Sequence, residues 1–233
     1  MIKKIIKYDF KKINKLLFII YLISLTLSII NLFFKYGTSD ISVATFLLTT
    51  DFAFIFAFSS LFFSFIIPFT RFRTSIFKDE AYLTHTLPID KGKLYDAKIL
   101  VSIISILIGM LLFGICFVYI FSHTSVTEFI KGTIKFEENI NIVLTFCINF
   151  VLQGIIIFLL AINSLIIANK CNKNRDLICF FLFFILFFGF YLLNNLLNLF
   201  INSATIILLI YILINAILYT TGRIMFKRGF NIE

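Results

Sequence analysis

Charged side chains are scarce in this sequence, 14% of its 233 residues, and over long stretches they are missing altogether. No Asp, Glu, Lys or Arg occurs in Leu16–Phe34, Phe52–Thr70, Ile99–His123, Ile140–Asn169 or the double-length run Leu177–Gly222. A bilayer core of about 30 Å takes about 20 helical residues. A charged residue at mid-depth costs on the order of 3 kcal/mol on insertion scales. Windows of this kind, repeated along a chain, exclude a water-soluble domain. The last run is long enough to cross twice, with a turn near Asn198–Ser203. The expectation is an all-α polytopic membrane protein of six spans, a single domain over residues 1–233.

Other absences narrow the chemistry. Only two histidines occur, His85 and His123, and no H-E-x-x-H, no G-x-S-x-G and no pair of carboxylates lies inside a span. An intramembrane enzyme is therefore disfavoured, and no catalytic, metal-binding or cofactor-binding residue is assigned. G-x-x-x-x-G-K-[ST] is missing as well, so the chain is not expected to hydrolyse ATP by a P-loop. No acid, base or histidine sits at depth, which disfavours a self-powered carrier, although carbonyls and amides alone can hold Na⁺. Cys116, Cys147, Cys171 and Cys179 form no C-x-x-C pair and read as apolar packing. The first apolar run is longer than a usual leader core and lacks a small-x-small cleavage site, so no cleaved leader is expected.

What charge there is falls unevenly. Of the 21 Lys and Arg, all but Lys35, Lys131 and Lys135 lie before span one, between spans two and three, between spans four and five, or after span six. Basic loops resist translocation, so both ends are expected in the cytoplasm, and the +9 net charge speaks of orientation rather than nucleic acid. Within residues 2–15, Ile2, Ile5, Ile6, Phe10, Ile13, Leu16 and Leu17 share one arc of a helical wheel. Lys3, Lys4, Lys7, Lys11, Lys12 and Lys15 share the opposite arc, and Asp9 is the acid on the apolar side. This pattern predicts an amphipathic helix lying on the membrane interface, lysines toward anionic lipid. The external connections are too short for a receptor or enzyme domain. The Asn-rich one (Asn194, Asn195, Asn198, Asn202) suits either a re-entrant elbow or a plain hairpin.

Between Arg71 and Lys98 the spacing predicts a short helix capped at Thr74 or Ser75 and ending by Leu87, ahead of Pro88. Asp90 then caps a second helix that rises into span three. Ile76, Phe77, Tyr82, Leu83 and Leu87 are too apolar for a solvated linker. Inside the spans the polar candidates are Ser59, Ser60, Ser64, Asn149, Gln153, Asn163, Asn194, Asn195 and Asn198. Asn149 and Gln153 share one helix face. Such groups join helices at about 0.6 to 2 kcal/mol each, and gluing is the favoured role. The candidates for lining a substrate path are Ser60, Ser64, Asn149, Gln153, Asn194 and Asn198. Gly109 and Gly114 are five apart, so the four-residue close-packing motif is absent there.

The run Lys78-Asp79-Glu80-Ala81-Tyr82-Leu83-Thr84-His85-Thr86-Leu87-Pro88, with Asp90 and Lys98-Ile99-Leu100 after it, resembles the loop between spans two and three of bacterial ABC type-2 transporter permeases. The ending Asn231-Ile232-Glu233 behind a basic patch is similar to theirs. The resemblance covers the topology of the whole chain but only about 25 residues in detail. It implies a permease subunit of an ABC exporter, with the loop as a coupling helix docked on a separate ATPase. The docking residues would be Phe77, Lys78, Asp79, Glu80, Tyr82, Leu83, Thr84, His85, Thr86 and Leu87. The same resemblance implies a second permease copy, identical or not, and ATP with Mg in the partner subunit. A non-transporting immunity or sensor-partner protein of the membrane is the competing class. The short connection between spans five and six departs from the family pattern.

Overall fold

In a computed structural model, residues 2–34, 40–77, 90–121, 140–171, 174–201 and 203–228 are described. Six helices make up nearly all of them: α1 (Ile2–Phe34), α2 (Asp40–Phe77), α3 (Lys91–Phe121), α4 (Ile140–Ala168), α5 (Arg175–Phe200) and α6 (Ala204–Lys227). No strand occurs among the described residues. Even α6, with 24 residues, reaches about 36 Å at about 1.5 Å per residue. All six are long and apolar enough to cross a membrane. The chain is a multi-pass membrane protein.

Two helices run further than the residues alone predict. α1 has no break near Lys15: no Gly or Pro interrupts Ile2–Phe34, so the basic amphipathic stretch and the apolar stretch form one continuous helix. Its six lysines are exposed, whereas Asp9, Ile13, Leu17, Tyr21, Ser24, Ser28 and Asn31 are buried at spacings of three and four. α2 passes straight through the expected cap at Thr74 and Ser75. Their hydroxyls instead donate back to Arg71 O and Phe72 O, each at 3.2 Å. α3 does begin directly after Asp90, whose carbonyl accepts the Leu94 amide at 3.1 Å. Two long helices end at Phe200 and begin at Ala204, and Asn202 between them lies outside the described residues.

Contacts divide the chain into two compact units. One comprises residues 7–68 and 104–140. In it α1 meets α2 and α3 through small and hydroxylated residues: Ala53 and Ala57 pack on Cys116, with Leu25, Leu27 and Phe113 around them. Ser60 and Ser64, one and two turns further along α2, are fully buried too. Apolar side chains gain little from leaving lipid for protein, so close backbone approach and buried hydrogen bonds drive such contacts. Tyr21 Oη lies 2.8 Å from Ser64 Oγ, and a Cβ at Gly109 would fall inside the Ser64 side chain. Asn31 Oδ1 accepts from Thr49 Oγ1 at 2.8 Å and Thr50 Oγ1 at 3.1 Å.

The other unit holds residues 1–6, 69–103 and 141–233. α4 is its most buried span, more than half of its apolar window being enclosed. α5 buries no residue at all. Antiparallel threading is visible in side-chain pairs at one end. The last turn of α2 meets the first turn of α5 (Arg73 with Asp176), and the start of α3 meets the end of α6 (Asp96 with Arg223). The end of α4 meets the start of α5, Ser164 Oγ lying 3.6 Å from Cys179 Sγ.

Candidate functional site

Of the residues proposed for docking, only Phe77 belongs to the described structure. It closes α2 with its ring 6.4 Å from that of Phe72. Lys78, Asp79, Glu80, Tyr82, Leu83, Thr84, His85, Thr86 and Leu87 lie outside the described residues, as does Pro88. What the structure defines is the pair of helix ends between which that segment is strung.

Those ends are built from aromatic and charged side chains. Phe72 on α2, Tyr95 on α3 and Phe226 on α6 are buried together, with centroids 6.2, 6.4 and 5.4 Å apart around the triangle. Edge-on and tilted ring contacts of this kind add about 0.5–1.5 kcal/mol each beyond the area they bury. Beside them, Tyr219 Oη donates to Asp96 Oδ1 at 2.6 Å and Arg223 donates to Asp96 Oδ2 at 2.8 Å. One carboxylate thus accepts from two α6 side chains one turn apart. Two glycines let the helices close. A Cβ at Gly92 would strike Lys227, and a Cβ at Gly222 would strike Tyr95 and Asn163. Asn163, from α4, donates to Leu218 O at 3.0 Å and so brings a third helix to the same place.

The path candidates divide between the two units. Ser60 and Ser64 are fully buried and joined to each other, Ser64 Oγ donating to Ser60 O at 2.6 Å. In the other unit, Gln153 Nε2 donates to Tyr211 Oη at 3.0 Å, and Tyr211 in turn donates to Asn194 Oδ1. Asn198 adds a long contact of 3.5 Å to the same oxygen. Tyr211 is buried among Ile156, Leu160, Leu186 and Phe190. Asn215, one turn along α6, donates to Leu152 O at 3.3 Å. Asn149 shares a face with Gln153 but is not joined to it, and its Oδ1 is buried without a partner.

Tyrosines, not the amides and histidines that the sequence singles out, stand at the centre of both clusters: Tyr95, Tyr211 and Tyr219, and Tyr21 in the other unit. For Tyr21, Tyr211 and Tyr219 the available signal was position, because a tyrosine inside an apolar span carries a hydroxyl that needs a partner; Tyr95 lies before the apolar run, and its buried hydroxyl has no hydrogen-bond partner. Asp96 is a further site residue that no motif marks. It is an acid among Lys91, Lys93 and Lys98, placed to answer a base from elsewhere.

The six apolar helices, with basic side chains gathered at one end of the α4–α6 unit, define the class as an α-helical multi-pass membrane protein. No family model, curated protein or solved structure matches the chain.

Proposed function

We propose that this chain is the membrane-spanning permease subunit of an ABC type-2 exporter, driven by a separate ATP-hydrolysing subunit. One observation carries the reading: the sequence Lys78–Pro88, with its Tyr-Leu-Thr-x-Thr-Leu-Pro stretch, joins the second and third of six apolar helices. That is the place in the chain where such permeases receive their ATPase. On this reading Phe77, Lys78, Asp79, Glu80, Tyr82, Leu83, Thr84, His85, Thr86 and Leu87 form the docking surface. The ends of the chain and the basic helix termini face the cytoplasm, as the distribution of Lys and Arg supports. The exposed lysines of α1 meet anionic lipid at the membrane surface. A second permease copy completes the transporter, whose ATP and Mg belong to the partner.

Purification of the tagged chain in mild detergent tests this directly. A nucleotide-hydrolysing protein should accompany it and be stimulated by it. Replacing Glu80 or Leu83 by Ala should lower that stimulation at least fivefold while membrane insertion is unchanged. Recovery of no ATPase, or full stimulation by both variants, rules the reading out.

A further inference from the structure

Two glycines interlock at the foot of α3 and α6. Gly92 on α3 takes the Lys227 side chain from α6, and Gly222 on α6 takes Tyr95 from α3. Gly92, Tyr95, Gly222 and Phe226 are all buried. Between the notches, Asp96 accepts hydrogen bonds from both Tyr219 and Arg223. The register is strictly antiparallel: 92 faces 227, 96 faces 223, and 95 reaches both 219 and 226. Reciprocal notches oppose sliding, and a carboxylate held from two successive turns opposes rotation. A further tether, Arg73 on α2 with Asp176 on α5, is a single pair whose acid is 72% exposed, open to screening by salt.

We infer that Asp96 is a positioning residue: through Arg223 and Tyr219 it fastens the first turns of α3 to the last turns of α6 as one rigid piece, so that displacement of segment 78–89 is delivered to α6. This rests on the docking role proposed above. The tests separate the two. A chain that holds its acid and base in register needs both signs but not their order, so exchanging the partners should restore what either single change removes.

Hydrogen–deuterium exchange on the full chain in lipid nanodiscs, with no ATPase present, reads the rigid piece. Asp96→Asn should speed exchange at residues 91–95 and 223–228 at least fivefold. The double change Asp96→Arg with Arg223→Asp should return it to within twofold of the parent. Tyr219→Phe, which removes one hydrogen bond and keeps the ring, should give a smaller rise at the same residues. Unchanged exchange in both Asp96→Asn and Tyr219→Phe overturns the inference. The second reading uses the co-purified ATPase and a background with the four native cysteines changed to Ala. Gly92→Cys with Lys227→Cys, where the shortened side chain frees the space a Cβ needs, should cross-link and leave ATPase stimulation within twofold. Loss of stimulation on cross-linking means that α3 and α6 must move apart, and overturns the inference. If no ATPase is recovered, the docking role falls and delivery to α6 falls with it; the exchange result still decides whether the two ends are one piece.

Discussion

Tyr211→Phe removes a single oxygen from the interior of the α4–α6 unit and keeps the ring that packs on Ile156 and Leu160. Two hydrogen bonds go with it, one received from Gln153 and one given to Asn194. Hydrogen bonds between membrane helices average about 0.6 kcal/mol and reach about 1.7 in double-mutant cycles. The expected loss is therefore about 1–3 kcal/mol. Tyr211→Ala opens a cavity as well and should cost about 3–5 kcal/mol, as other large aromatic truncations do. Unfolding by SDS in mixed micelles, followed by circular dichroism, supplies both values. The decisive quantity is the coupling between Tyr211→Phe and Gln153→Leu, expected at about 0.6–1.7 kcal/mol. A coupling of zero, with Tyr211→Phe as stable as the parent, would refute gluing. Gln153 and Asn194 would then be available to a substrate.

Gly109→Val places side-chain atoms where Ser64 already sits, and overpacking of this kind costs about 1–3 kcal/mol. Ser64→Gly in the same chain should recover much of that loss, and wild-type stability of Gly109→Val alone would contradict the close approach. Gly114 serves as the control. Nothing lies within reach of a Cβ there, so Gly114→Ala should be neutral or stabilising by about 0.5–1 kcal/mol. Cys171, half-buried at the turn after α4, reports orientation. A membrane-impermeant maleimide should label it in inside-out vesicles and leave it untouched in right-side-out ones, and the reverse pattern would invert the proposed topology.

The six spans were legible because charge is so costly in lipid that its absence marks them. The start of α3 was legible for a related reason, since Asp90 stands where polar chain meets apolar chain. Backbone continuity was less so. At Lys15–Leu16 the surroundings expected of the chain change but its helical period does not, and with no Gly or Pro to break it α1 simply continues. At Thr74 and Ser75 the same side chains that cap helices can also bond back along one, and inside a long helix they do. Least legible were the pairings. Asp96 and Arg223 are 127 residues apart, and no periodicity in either helix names the other. Gly109 has no second glycine four residues away; its partner is a serine on a different helix.

Hydrophobic periodicity has little to say about which helix neighbours which once lipid is the solvent, because every face is apolar. α5 is the extreme case: Phe180, Phe181, Phe184 and Phe188 all point outward, and the helix buries nothing. An uncharged run as long as Leu177–Gly222 could pair its two helices in several registers if apolar contact alone decided. The polar groups remove that freedom. Asn194 takes the Tyr211 hydroxyl, Gln153 gives to it, and Asn163 reaches Leu218, so α4, α5 and α6 are indexed against one another at separate depths. The charged pairs Arg73–Asp176 and Asp96–Arg223 do the same work near helix ends, where headgroups and water lower the cost of keeping them. Amides and hydroxyls in the interior with ions at the termini is thus the arrangement that fixes register at least desolvation cost. Any bundle with α4's burial and α5's bareness needs something of that kind to hold one packing rather than several.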